Sequence, residues 1–196
     1  MTPGARRRIE PPRRRLHRNR RPRPPLPSEP TRLSLTNVSI LPECAQDSAP
    51  AQALIEHTFG PGRLTKVSER VREFATFLPA LSFCAFEDER LVGLVRVWRV
   101  RVGEAPVAFL GPLAVAPDLR GAGYGITLLE KACEAARKAH FVAVVLVGDE
   151  PYYARAGFSA AAGRDVVLPG PVDQRRVLAR MLDLDAPPLA GPVQPA

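Results

Sequence analysis

Cysteine is scarce in this chain. Cys44, Cys84 and Cys133 are the only three, they lie far apart, and no C-x-x-C occurs. An odd, scattered set is not a disulfide framework; it suits a reduced protein, so a cytoplasmic location is expected, with each thiol packed in the core. Long apolar runs are missing as well. None approaches the ~18 residues that a helix needs to cross a bilayer. The Arg-rich N-terminus has no apolar segment behind it, so neither a membrane span nor a secretory signal is expected. His17, His57 and His140 have no second ligand at metal spacing, and no metal is expected.

Charge is abundant but uneven. The 196 residues carry a formal net charge of +8, yet residues 1–32 alone carry +9, through 11 arginines against Glu10 and Glu29. The remaining residues are near balance at −1. The high isoelectric point belongs to this segment, which also holds eight prolines. Proline removes backbone donors and like charges repel, so residues 1–32 are expected to be a disordered tail. A solvated extension is one reading. Contact with nucleic acid or another acidic surface, through arginine on phosphate, is the other.

From residue 33 the apolar fraction is that of a folded domain, expected over 33–185 with a flexible C-terminal tail at 186–196. "LSLTNVSIL" alternates and ends at Pro42, which predicts a strand. "QDSAPAQALIEHTFG" predicts a helix, capped by Asp47 or Ser48 and stopped by Gly60. "LTKVSERVREF" predicts a second, with Leu64, Val67, Val71 and Phe74 on one face. Residues 81–115 predict three strands with turns near Asp88–Arg90 and Gly103–Pro106. Arg96, Arg99 and Arg101 on the middle strand suggest a solvated face or an anion contact, and Trp98 a packing residue. Ile126, Leu129, Cys133 and Ala136 form one helical stripe. "FVAVVLVG" fits a strand covered on both faces, and "EPYYARAGF" a short helix ending at Gly157. The fold class is therefore mixed α/β: antiparallel strands first, then one strand–helix–strand unit.

That unit contains "APDLRGAGYGITLLEK", with Gly121, Gly123 and Gly125 at alternate positions before a helix. Glycine allows positive φ and close ligand approach. Unpaired N–H groups and the helix dipole make such a turn an anion site. A P-loop would need Gly-Lys-Ser/Thr, and here Ile126 and Thr127 follow the last glycine. A Rossmann fingerprint needs G-x-G-x-x-G directly after a strand. Here the spacing is G-x-G-x-G, and Ala116 to Arg120 intervene.

The remaining pattern, Arg120-x-x-Gly123-x-Gly125, resembles the pyrophosphate-binding signature of the GNAT superfamily of acyl-CoA-dependent N-acyltransferases. "FLGPLAVAP" upstream and "LVGDEPYYARAGF" downstream are similar to the elements that flank it in that superfamily. The likeness runs from Leu33 to about Leu182. It is greatest to a bacterial subgroup marked by "LGPLAV" and "LVGD-x-x-YY". It implies a single domain with a central mixed sheet, a splayed strand pair and flanking helices. It also implies acetyl-CoA as acyl donor and an amine as acceptor.

The Gly111–Pro112 pair interrupts its strand, and a bulge there would splay it from residues 142–147. The resemblance assigns pantetheine pairing to the backbone of Val115, with Leu113 and Ala114 beside it. It assigns thioester polarisation to the N–H of Leu113, and the pyrophosphate to the N–H groups from Arg120 through Gly121, Ala122, Gly123 and Tyr124 to Gly125. Tyr153 matches the family's general acid, with Tyr152 as substitute. No base is evident. Phe109 occupies the strand position where some relatives carry a carboxylate, and Asp149 and Glu150 read as first-turn charges of a helix. The acceptor is expected near Gly60–Arg63 and residues 160–175. A non-catalytic acyl-CoA sensor or scaffold is the alternative, and a homodimer is open.

Overall fold

The computed structural model describes residues 38–196. The Arg/Pro-rich segment 1–32 and the start of the first predicted strand lie outside the described residues. Strand β1, Val38–Pro42, stops at the proline, and a short 3-10 turn leads into α1, Ser48–Phe59. Gly60 ends α1 at φ 64°, a conformation that favours glycine. A second 3-10 turn over Pro61–Thr65 precedes α2, Val67–Phe74. Leu64 falls in that turn, 63% exposed, so the predicted α2 stripe begins at Val67 instead.

Next come β2 (Thr76–Phe77), β3 (Phe83–Glu87), β4 (Arg90–Val102) and β5 (Ala105–Val115). Two-residue turns join the last three, with positive φ at Asp88 and Gly103. Then α3 (Tyr124–Lys138) leads to β6 (Ala143–Val147), α4 (Glu150–Tyr153), α5 (Ala160–Gly163), β7 (Val166–Val167), β8 (Val177–Met181) and β9 (Gly191–Gln194). His140 takes φ 60° in the turn between α3 and β6. That is the conformation a glycine or asparagine adopts more cheaply.

The sheet runs β1-β3-β4-β5-β6-β8. All neighbours are antiparallel except β5 and β6, which α3 connects in parallel. On its other side β4 is long enough to pair with β3, β2 and β9 in turn. Alternation on β6 sends Val144 and Leu146 to the α3 face, with Ala143 and Val145 to the opposite face against α2. Leu128 and Leu129 of α3 are fully buried. Each contributes roughly 1.5–3 kcal/mol over leaving it exposed. Helix α1 buries Ala51 and Ile55 on Cys84, Leu94 and Ala114.

Four expectations change. The C-terminal segment, expected to be a flexible tail, forms β9, with Leu189 and Val193 buried. Short strands flanked by Pro and Gly carry too little periodicity to register in sequence. Cys44, expected in the core, is exposed, while Cys84 and Cys133 are buried. The Asp47 carboxylate accepts from both the N–H and the thiol of Cys44 instead of capping α1. The three arginines singled out on β4 each have an intramolecular partner: Arg96 is bidentate to buried Glu43, Arg99 lies over the Phe141 ring, and Arg101 bonds Glu104.

Candidate active site

Strand β5 changes partners along its length. Val95 of β4 faces Leu113 and Val97 faces Leu110, so two steps on β4 span three on β5. The extra residue is a bulge at Gly111–Pro112, where Gly111 sits at φ 136°. The indole N–H of Trp98 donates to the Gly111 carbonyl at 2.8 Å and pins it. Parallel pairing of β5 with β6 ends just before the bulge, at Phe109 and Val145. Beyond it the two strands part.

The phase of β5 past the bulge follows from one bond: the Ala116 N–H donates to Val92 of β4 at 2.8 Å. Backbone groups alternate sides along a strand. Those of Ala114 therefore also face β4, and those of Leu113 and Val115 face the gap left by β6. Leu113 and Val115 line a cavity of about 510 Å³ in that gap. Ala114, expected beside the ligand, does not line it; its side chain is buried under α1.

The far end of the cavity is the start of α3. Gly121 and Gly123 take φ 88° and 95° with open space where a side chain would stand. Their requirement is conformational. Gly125 has the opposite reason: a Cβ there would overlap the Tyr152 hydroxyl. The first helical bond runs from the Thr127 N–H to the Gly123 carbonyl. The N–H groups of Gly121, Gly123, Tyr124, Gly125 and Ile126 have no acceptor among the described residues, as expected of a helix start without a side-chain cap. Those of Arg120 and Ala122 are engaged in turns, to Pro117 and Leu119. The Tyr124 hydroxyl reaches across to Glu87, and that bond, with some burial, pushes its pKa up.

Tyr153 closes the cavity from α4. Its ring lies against Gly148, where any Cβ would overlap it, and meets Tyr152 edge-on at 4.9 Å between centroids. Burial, with smaller contributions from Tyr152 and Asp149, pushes its phenol up to about 12. A second cavity, about 120 Å³, opens on the other side of Tyr153 and Leu113. Both residues border both cavities.

A parted parallel strand pair, a bulge and an open helix N-terminus on one cleft are what the family resemblance requires, and the match to a family model is direct. The model described as the acetyltransferase (GNAT) family covers residues 39–158. The chain belongs to the GNAT acetyltransferase family. Among solved structures it is similar to the GNAT family N-acetyltransferase YhbS from Escherichia coli, solved in complex with CoA. The TM-score is 0.68 and the identity 26%, over 85% of this chain and 91% of that one. It is also similar to a GNAT family acetyltransferase from Brucella melitensis in complex with acetyl-CoA. There the TM-score is 0.60 and the identity 26%, over 81% and 96% of the two chains. None of the curated proteins matches.

Relative to the GNAT cleft, Asp149 and Glu150 are both engaged. Asp149 pairs with Arg176 at 3.2 Å, and Glu150 accepts from the Ala160 N–H at 2.8 Å. Phe109 is fully buried. Segment 160–175, expected near the acceptor, does not line the smaller cavity. That wall is α2 and the turn before it, where Glu69 accepts from Arg63 at 3.1 Å and from Arg72 at 2.6 Å. Burial alone would raise the Glu69 pKa, but the bonds and charge of Arg72, then Arg63, outweigh it and hold the carboxyl below its ordinary range. Sequence reasoning passed over Glu69 and Arg72 because the polar face of a short amphipathic helix normally meets water. The (i, i+3) spacing of opposite charges was the available signal. It also passed over Thr58, whose buried hydroxyl beside the larger cavity has no partner among the described residues. No helix among these residues is long and apolar enough to cross a membrane.

Proposed function

We propose that this chain transfers the acetyl group of acetyl-CoA to a primary amine by direct attack on the thioester. One observation carries the reading: β5 parts from β6 at the Gly111 bulge, so the backbone of Leu113 and Val115 borders a cleft that ends on the unpaired N–H groups of α3. The pantetheine arm supplies two amides and would take the place of the missing strand on Val115. The pyrophosphate would sit on the N–H groups of Gly121 and Gly123 to Ile126, where the helix dipole favours anions. Arg120 and Arg155 border the same cavity and would add positive charge.

Attack by the amine turns the thioester carbonyl into an oxyanion. The N–H of Leu113 would donate to it, a contribution typically of ~10²–10³ in rate. The intermediate loses the extra proton on its nitrogen to water and expels the CoA thiolate, which takes a proton from Tyr153; the phenolate regains one from solvent. Burial keeps the Tyr153 phenol protonated in the free site; against a thiol of pKa ~8.5 it is the weaker acid, so its proton moves only as negative charge builds on the sulfur. Glu69 is a weak base while two guanidinium groups hold it ionised. The amine therefore arrives through its neutral fraction, or loses its proton to water.

The test is release of the free CoA thiol from acetyl-CoA over a panel of amines, in wild type and Tyr153→Phe. Amine-dependent release, depressed in the variant while acetyl-CoA still binds, is the expected result. Binding of acetyl-CoA without transfer to any amine would contradict it.

A further inference from the structure

The smaller cavity carries surplus positive charge. Three of its lining side chains, Arg63, Lys66 and Arg72, are basic, and one, Glu69, is acidic. Glu69 is only 18% exposed and Arg72 only 11%, so water screens them poorly. One carboxylate cannot use both guanidinium groups fully. Arg72 donates to it through Nε and Nη2, and Arg63 through Nη1. Nη1 of Arg72, and Nε and Nη2 of Arg63, have no acceptor among the described residues. The Arg72 Nη1 atom lies 3.5 Å from where a side chain on Gly111 would begin. Glycine at the bulge thus leaves the approach to that donor open. Lys66 rests over the Phe59 ring at 5.4 Å, on the same wall.

We infer that this cavity is the acceptor site and that it selects amines bearing an anionic group, a carboxylate or a phosphate, held by the unspent donors of Arg72 and Arg63 with Lys66 beside them. The inference rests on the acetyltransferase reading. Guanidinium presents parallel N–H donors that match the oxygens of either anion. Leu113 and Tyr153 form the border with the acetyl-CoA cleft, so an anion seated against α2 would leave its amino group facing the thioester. Glu69 is a positioning residue here: it fixes both guanidinium planes. A polyamine, drawn by Glu69 alone, would meet a net repulsive wall.

The test uses full-length protein loaded with CoA as a dead-end complex. Calorimetry measures binding of β-alanine and phosphoethanolamine, with ethylamine and ethanolamine as uncharged-tail controls. The expected result is saturable binding of at least one anionic amine and none of the controls. Arg72→Gln and Arg63→Gln should each weaken that binding by about 10- to 100-fold. Acetyl-CoA affinity and the melting temperature of each variant check that the fold is retained. Preference for β-alanine or for phosphoethanolamine identifies the anion as carboxylate or phosphate. In turnover, the ratio of kcat/KM for the anionic amine over its control should exceed tenfold in wild type and fall towards one in Arg72→Gln. No binding of either anionic amine, or binding unaffected by both substitutions, overturns the inference. If acetyl-CoA is cleaved with amines regardless of their charge, only this inference fails. If acetyl-CoA does not bind at all, the acetyltransferase reading fails with it.

Discussion

Tyr153 borders both cavities, whereas Tyr152 borders only the larger one. That difference favours Tyr153 over Tyr152 for the acid role proposed above. Replacing it with Phe removes the hydroxyl and keeps the ring against Gly148. A fall in kcat of about 10²-fold is expected, at the low end for acid catalysis because a thiolate leaves tolerably well unaided. The dissociation constant for acetyl-CoA should stay within a few-fold. The pH dependence has a definite sign. A phenol raised to about 12 is protonated at all lower pH, so its contribution is lost only as pH rises through that value. The rate should rise with pH as the amine deprotonates, with no alkaline decline from Tyr153 below about pH 11. A decline near the ordinary phenol value of ~10, present in wild type and absent in Tyr153→Phe, would contradict this.

The turn before α3 combines two kinds of glycine, and substitution separates them. Gly123→Ala forces a side chain to φ 95°, a strain of about 1–3 kcal/mol, and should lower the melting temperature and weaken acetyl-CoA binding together. Gly125→Ala collides with the Tyr152 hydroxyl. Pairing it with Tyr152→Phe removes the colliding atom, so the double variant should recover most of the stability that Gly125→Ala loses. Thermal melts of the two singles and the double give the coupling; additive losses would show the contact to be slack. Trp98→Phe tests the bulge in the same way. Losing the bond to Gly111 should cost about 1 kcal/mol and loosen the position of Leu113, lowering kcat more than it raises the KM for acetyl-CoA.

At this scale much was legible in sequence. Alternation marked β3 to β5 and their turns, and the glycine spacing and the Gly111–Pro112 break marked the cleft. Sequence could not tell that Ala114 faces away while its neighbours face in. That depends on the phase of the ladder after the bulge, which a one-residue insertion reverses. Nor could it show that the polar face of α2 becomes the wall of a second cavity, because only tertiary packing brings Gly111 beneath Arg72.

The whole molecule extends past the matched family segment. Residues 159–196 add β8 at the sheet edge and close β9 onto β4 through Arg101–Gln194 and Val102–Val193. Those last residues read as frayed because their periodicity is broken by Pro and Gly, yet Leu189 and Val193 are nearly inaccessible. Deleting residues 189–196 should cost about 3–5 kcal/mol by chemical denaturation, from two buried aliphatic side chains and the β9 pairing. A loss below 1 kcal/mol would mean that β9 is marginal. Glu43 and Arg96, far apart in sequence, join the turn before α1 to the centre of β4 through a bidentate pair.

The central claim is that acetyl-CoA occupies the gap between β5 and β6 and ends on α3. Amide hydrogen exchange with and without acetyl-CoA tests it residue by residue. The expected result is slowed exchange at Leu113, Val115 and Gly123 to Ile126, with no change at Ala114, whose N–H already faces β4. Saturating acetyl-CoA that leaves Leu113, Val115 and the start of α3 unprotected would contradict it.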